Sequence, residues 1–480
     1  MFLQSLSLSV LWLLALSNFA TASGAVQHYD GFQLLRVIPQ TLEQLAALRN
    51  FSEHVGLQPN SGAEVWNFRP FVGQPSEFFA APDNVKRVTD FFDDNRIPNG
   101  VLVENFGIQL REAQRKFIFH DPAERIRSPS DFDLNRFHPF ESIESYLRLL
   151  AQSHPNFIKF DSIGKTSEGR EIPFLTLGYP SKTSKKPALF LDAGIHAREW
   201  IAPAIALHFI NALINEPKFH SLLSDIDVHV LPSLNPDGYT HTWTKDRLWR
   251  RTRSGPIKSN SKVCGSDDSD EEEFCYGVDP NRNFPFHWGQ AGVSKCPCSQ
   301  VYNGERPLSE PECANLAKFI SANTGTIKAY LTLHAYSNLI IHPYGFERHF
   351  YPENVAEIVS VGQINKAKVN KFKLRVANSM AKAIVQAGGE KFRVGSAPDI
   401  LYSVSGSSDD FARSAGIKYT YTMELTSGWY GDRYVGFVYP EEGISKEAEQ
   451  VLPALLILAE QVKSESSGKE AEDQKGIGGQ

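Results

Sequence analysis

The chain has 480 residues, 41% of them hydrophobic and 22% charged, with a formal net charge of −6 at pH 7. That length allows two or three domains of roughly 100 to 200 residues each. The charge balance excludes a nucleic-acid footprint, and the hydrophobic content excludes wholesale disorder. Residues 2–19 are mostly apolar, carry no Lys or Arg, and are followed by the small-residue stretch Ala20-Thr21-Ala22. This reads as a secretory signal peptide over residues 1–22, with a membrane anchor as the alternative. No other segment holds the ~18 consecutive apolar residues a membrane span needs. A secreted, extracellular protein is therefore expected. Secretion makes the five cysteines, all between Cys264 and Cys313, candidates for a local disulfide staple that leaves at least one free or paired with another molecule. Asn50-Phe51-Ser52 is a usable glycosylation sequon.

Residues 32–37 alternate enough to predict a strand, and Thr41-Leu42-Glu43-Gln44 has the form of a capping box opening a helix to about His54. A second strand over 64–69, a helix over 83–96 and a strand over 101–106 complete a small α+β domain. It holds no cluster of His, Cys or carboxylate groups. Residues 111–135 are polar and basic, with Arg111, Arg115, Lys116, Arg125 and Arg127 among Pro122 and Pro129. The stretch reads as the cleavable end of a pro-segment rather than an inert linker, cut at Arg125 or Arg127. From residue 141 onward helices and apolar strands alternate. A helix to about Ser153 precedes strands at 158–163, 172–177 and 188–195, then a helix from Ala202. A strand at 228–231, a helix at 309–323 with Ser309 and Glu312 as a second capping box, strands at 329–333 and 419–425, and a helix near 445–463 follow. Continuous apolar strands between helices predict an α/β domain with a buried, mixed, mostly parallel sheet. Residues 464–480 read as a disordered tail.

Chemistry concentrates at strand ends. His196-Ala197-Arg198-Glu199-Trp200 follows the apolar run Leu191-Asp192-Ala193-Gly194-Ile195 and sets an imidazole and a carboxylate at a zinc-ligand spacing. A second strand delivers His334, and strand ends in such a sheet converge at its carboxyl edge. The three side chains make a three-ligand set with room for water. A third strand ends in Glu424 amid apolar neighbours, and a buried carboxylate is costly without work or a partner.

With these residues in place, the chain from about 27 to 462 closely resembles the zinc metallocarboxypeptidases, in the secreted pancreatic-type branch with an inhibitory propeptide. The resemblance is carried by the His196 to Trp200 motif, Asn235-Pro236-Asp237-Gly238-Tyr239, Val278-Asp279-Pro280-Asn281-Arg282-Asn283, His334-Ala335-Tyr336, Ser309-Glu310-Pro311-Glu312 and the Glu424 strand. It implies a propeptide with a ferredoxin-like α+β fold over residues 23–125, a catalytic α/β domain over 126–463, and one zinc ion. The two-histidine, one-glutamate zinc set is the family's own, and it falls here on His196, Glu199 and His334. Asp279 would orient His196 from behind. Glu424 would take a proton from the attacking water and hand it to the departing amine. Arg250 would stabilise the tetrahedral oxyanion, while Arg251 and Arg253 read as solvated surface charges.

The resemblance also implies substrate contacts. Arg282 would bind both oxygens of a terminal carboxylate, with Asn281 as a further donor and Tyr336 and Tyr402 contacting the peptide. Arg198 resembles an outer-subsite residue, with a structural ion pair as its alternative. Asp409, in Gly406-Ser407-Ser408-Asp409-Asp410, falls at the family's specificity position, where an aspartate accompanies cleavage of C-terminal Lys and Arg; Asp410 reads as structural. Peptide or protein C-termini are the expected partners, with a trypsin-like protease as activator and no nucleic acid; a monomer is expected. Family position pairs Cys275 with Cys298, and Cys264 with Cys296 is a candidate second bridge. The chain departs from the pattern at Ala335, in a longer link from Glu424 to Gly436-Phe437, in an extension around 358–373, and in the acidic insert 267–273, which reads as a solvated loop. Specificity for apolar C-terminal residues, a zinc amidase of N-acyl amino acids and a non-catalytic binding protein are the competing readings.

Overall fold

The structure is a computed structural model and describes residues 27–57, 63–117, 126–181, 185–259, 261–264, 274–353 and 376–466. The expected signal peptide, Arg125, the acidic insert and the extension around 358–373 lie outside them. The first unit runs β1 (Gln33–Val37), a helix (Leu42–Leu57), β2 (Ala63–Asn67), β3 (Ser76–Ala80), a helix (Pro82–Asp94) and β4 (Asn99–Val103). Its antiparallel sheet has the order β2-β3-β1-β4, which is the ferredoxin-like arrangement expected. Thr41 caps the first helix as read, its hydroxyl accepting from Gln44 N at 3.2 Å. The sequence reading missed β3, and it missed the helix Phe106–Phe117, whose many basic residues were taken as the start of the linker. Phe106 and Leu110, four apart, are both buried, so that helix has its own apolar stripe.

Strand alternation gives the small sheet two faces. Leu35, Val37, Phe78 and Ala80 pack beneath its own helices. Leu34, Trp66 and Phe79 belong instead to the core shared with the second unit. Glu77 lies on the same face of β3 as Phe79, so the strand's period of two aims a carboxylate at the larger domain.

That domain contains β5 (Ile158–Lys165), β6 (Glu171–Leu177), β7 (Ala188–Ala193), β8 (Asp227–Leu231), the short pair β9 (Ile257–Lys258) and β10 (Phe274–Cys275), β11 (Ile327–Ala335), β12 (Leu339–His342), β13 (Arg393–Ser396), β14 (Tyr419–Leu425) and the hairpin β15 (Trp429–Tyr430) with β16 (Arg433–Tyr434). Eight of these strands form one mixed sheet of order β13-β12-β14-β11-β7-β8-β6-β5. Its centre, β14-β11-β7-β8, is parallel. Helices cover both faces, and successive residues divide between them: Leu189, Leu191, Leu331 and Leu333 enter one core, Phe190 and Tyr330 the other. The last helix, Ile444–Ser466, runs past the expected start of the tail. The second capping box is corrected too: helix Pro311–Asn323 has Glu310 at its N-cap, and Ser309 donates to Glu310 Oε1 instead.

Two bridges staple the cysteine-rich region, Cys264–Cys296 and Cys275–Cys298, with Cα separations of 4.9 and 5.2 Å. Cys313 is free and buried. Leu331 sits in the middle of β11 with no exposure. Replacing it with Ala is expected to destabilise the protein by about 2–5 kcal/mol, read from denaturant unfolding followed by tryptophan fluorescence.

Candidate metal centre and cleft

Three adjacent parallel strands end at one edge of the sheet, and the site lies beyond them. β7 leads through Gly194, at φ +65°, into His196; a side chain at 194 would press on Pro203, Pro232 and Ser233. β11 carries His334 directly opposite Glu424 of β14 in the parallel register. His196, Glu199 and His334 are all buried, and one ligand atom from each lies within 4.8 Å of the others. His196 Nδ1 is 2.8 Å from Glu199 Oε1, and Ala335 N donates to Glu199 Oε2 at 3.2 Å.

Two imidazoles and a carboxylate are a donor set suited to zinc. His334 supplies a test of fit from the structure itself. Its Nδ1 is 3.2 Å from Glu199 Oε2, and neither ring nitrogen has a hydrogen-bond partner of good geometry among the described residues. A buried imidazole without such a partner is costly, and a metal ion between these three groups would satisfy it. Burial and the nearby Arg250 push His196 below the ordinary imidazole range, toward the neutral form that a ligand must have. Burial opposes ionisation of Glu199, but the two imidazoles outweigh it and hold the carboxyl well below its usual range.

Asp279 is the electrostatic anchor behind this set. It is fully buried, accepts from Arg250 Nη2 at 2.8 Å and Nε at 3.1 Å, and lies 3.2 Å from His196 Nε2. Burial alone would raise its carboxyl; the guanidiniums of Arg250 and Arg282 reverse the direction. Arg282 is tied by Nε to Gly292 O and by Nη1 to Asn281 O. Asn281 Oδ1 accepts from Ser408 N at 3.0 Å, which leaves its amide nitrogen as the donor for other partners. Gly406, at φ +73°, allows this approach, since a Cβ there would meet Arg282 O at 2.4 Å.

A cleft of about 710 Å³ runs from the metal-ligand set past Arg250, Arg282, Tyr336, Tyr402 and Glu424 to Asp409. Glu424 is pushed up to about 7, chiefly by burial. A carboxyl poised near neutrality suits transfer of protons in both directions. Asp409 lines the cleft, is buried, is held by Ser407, and is raised above the usual range by burial. Among the described residues no arginine or lysine pairs with it. Asp410 beside it accepts from Gly345 N through both oxygens, a structural role as read. Arg251 is corrected: it is 5% exposed and donates to Gly277 O, Pro297 O and Ser299 O, binding the disulfide loop to the site. Arg253 is partly buried, its guanidinium over the Trp249 and Tyr276 rings.

The first unit roofs the cleft with Glu64, Val65, Trp66, Phe68 and Pro70. Arg198 Nη2 donates to Glu64 Oε1 at 2.5 Å, so the outer-subsite candidate is occupied by an ion pair across the two units. Glu64 and Glu77 were not singled out in the sequence, because nothing local marks a carboxylate whose partner lies more than a hundred residues away. Asp192, bonded by Tyr330 and Thr332 inside the sheet, was missed for the same reason.

A family profile described as zinc carboxypeptidase matches residues 143–454, and one described as carboxypeptidase activation peptide matches residues 35–112. Carboxypeptidase B of Rattus norvegicus is 33% identical over 461 residues, covering 95% of this chain and 99% of its own. Carboxypeptidase A2 of Mus musculus is 33% identical over 443 residues, covering 91% and 94%. The crystal structure of thrombin activatable fibrinolysis inhibitor, 29% identical, superposes with a TM-score of 0.71 over 91% of this chain and 100% of its own.

Asp279→Asn would leave the Arg250 guanidinium without its charged partner in a largely buried place. The expected loss of stability is about 3–5 kcal/mol, measured as a lowered unfolding midpoint of the full chain.

Proposed function

The chain belongs to the zinc carboxypeptidase family, as a metallocarboxypeptidase with an activation peptide, and from that premise we propose that it is a secreted zymogen whose activated form removes C-terminal Lys or Arg from peptides. In this reading residues 1–22 are a signal peptide, and cleavage at Arg125 or Arg127 by a trypsin-like protease separates the propeptide 23–125 from the catalytic domain 126–463. Arg127 is exposed, as a cut site requires. The domain is expected to act as a monomer.

His196, Glu199 and His334 would hold one zinc ion. Zinc, when bound, supplies Lewis acidity that polarises a carbonyl and lowers the pKa of water. Glu424 accepts a proton from the attacking water and returns it to the departing amine, so the carbon–nitrogen bond breaks with a neutral leaving group. Arg250, fixed on Asp279, faces the oxygen that gains charge as the carbonyl carbon becomes tetrahedral. Arg282 and the amide nitrogen of Asn281 receive the free carboxylate, which restricts the reaction to chain ends. Tyr402, 38% exposed, stands at the open side of the cleft, available to close over a bound peptide.

Asp409 is the observation that carries the preference for Lys and Arg. A buried carboxylate without a cation of its own gains a partner from a basic side chain, whereas an apolar one would leave it buried and unpaired. The relatives include proteins named both carboxypeptidase B and carboxypeptidase A2, so the preference rests on this residue and not on their names.

Three outcomes are expected after trypsin activation. Peptides ending in Arg or Lys are turned over at least tenfold faster, by kcat/KM, than matched peptides ending in Phe or Leu; equal or better cleavage of the apolar set would overturn the Asp409 assignment. Amidation of the terminal carboxylate, or chelation of the metal, abolishes turnover. Glu424→Gln lowers kcat by about 10²–10⁴-fold while zinc content, measured by atomic absorption, is retained; loss of the metal would show that Glu424 acts on binding instead.

A further inference from the structure

Beyond the metal, the anion pockets and Asp409 lies the phenol pair Tyr336 and Tyr434, of which only Tyr336 was expected to meet the peptide. Tyr336 follows β11 and lines the cleft. Tyr434 belongs to β16, in the hairpin between Glu424 and Phe437. The two hydroxyl oxygens are 2.7 Å apart. Both converge on a single carboxylate oxygen of the propeptide: Tyr434 donates to Glu77 Oε2 at 2.7 Å, and Tyr336 lies 3.3 Å from the same atom. Glu77 is 3% exposed in this position.

One cation of the catalytic domain lies near this pair. Arg198 stacks over the Phe437 ring at 4.0 Å, and that ring packs against Tyr336 at 5.0 Å. Arg198 itself holds the other propeptide carboxylate, Glu64. The propeptide thus lays two acidic side chains along one rim of the cleft, each on donors that belong to the catalytic domain. It brings its own counter-charge, since Arg36 lies 3.9 Å from Glu77 Oε1. The hairpin is held to the propeptide at further points, with Gln109 Nε2 donating to Tyr434 O and Arg36 lying over the Trp429 ring. Departure of the propeptide would take Glu77 from both hydroxyls, of which Tyr336 lies on the cleft wall.

We infer that the Tyr336 and Tyr434 hydroxyls form a carboxylate-binding subsite of the activated enzyme, which receives an acidic side chain upstream of the C-terminal residue of a peptide substrate. Glu77 occupies that subsite in the zymogen as a substrate mimic. The inference rests on the reading of the activated chain as a C-terminal exopeptidase. The two phenols share a hydrogen bond at 2.7 Å, so one hydroxyl donates to the other and a single O–H is left for the carboxylate, as with Tyr434 on Glu77 Oε2. A hydrogen bond to a carboxylate oxygen is charge-assisted and stronger than the one a neutral glutamine amide oxygen accepts in the same place. The preferred substrates are therefore peptides that pair an acidic residue in the body of the segment with a basic C-terminus.

The test uses the full-length protein, activated with trypsin and separated from its propeptide. N-blocked hexapeptides ending in Arg carry one Glu or one Gln, moved through the four positions before the Arg in an otherwise neutral sequence. At one position the Glu peptide is expected to exceed its Gln partner about tenfold in kcat/KM. Tyr434→Phe brings that ratio close to one, while a Glu preference arising from Arg198 at another position persists. A ratio near one at every position in the unaltered enzyme, or a ratio unchanged by Tyr434→Phe, overturns the inference. If no peptide is cleaved, the exopeptidase reading fails on its own. The same pairs are then compared by fluorescence anisotropy on the propeptide-free chain. Tighter binding of a Glu peptide that depends on Tyr434 supports the subsite, and equal binding of Glu and Gln peptides removes it.

Discussion

The parallel register of β7, β11 and β14 is the constraint on which the rest depends. Each strand is largely apolar because helices cover the sheet on both sides, and most of the polar chemistry collects where the strands stop. There the register sets His334 beside Glu424, and the turn after β7 returns His196 and Glu199 to the same edge. The candidate metal ligands and the carboxylate next to them are thus fixed by the packing of the core. A slip of one residue in β11 would exchange the two faces and bury His334 in the wrong layer.

Around this edge, buried charge is distributed unevenly, and the unevenness is informative. Asp279 is satisfied by Arg250 and by His196, and Glu64 satisfies Arg198. Asp409 is buried with neither an arginine nor a lysine against it among the described residues. In the proposed reading, this carboxylate open to the cleft would receive a cation from the substrate. The propeptide uses the converse arrangement, supplying carboxylates to donors on the cleft rim.

Much of this was legible in the sequence because it is local. Apolar runs located the central strands, with β14 read at its full length, and a histidine or glutamate at the end of such a run already points to the carboxyl edge. Other features required the fold. The helix Phe106–Phe117 was obscured by its basic residues, although Phe106 and Leu110 carried a helical stripe. Arg251 reads as surface in a run of arginines and is instead buried against three carbonyls of the disulfide loop. Glu64 and Glu77 looked like ordinary strand residues, since their partners Arg198, Tyr336 and Tyr434 lie far along the chain. Long-range pairs of this kind leave no periodic trace, whereas strand ends do.

The central claim is that three strand and turn positions at one sheet edge make a single zinc site. Anomalous diffraction at the zinc absorption edge, from crystals of the intact zymogen, tests it most directly. The account predicts one strong peak within roughly 2.0–2.2 Å of an imidazole nitrogen from each of His196 and His334 and an oxygen of Glu199. A peak elsewhere, or zinc bound without His334, would contradict it.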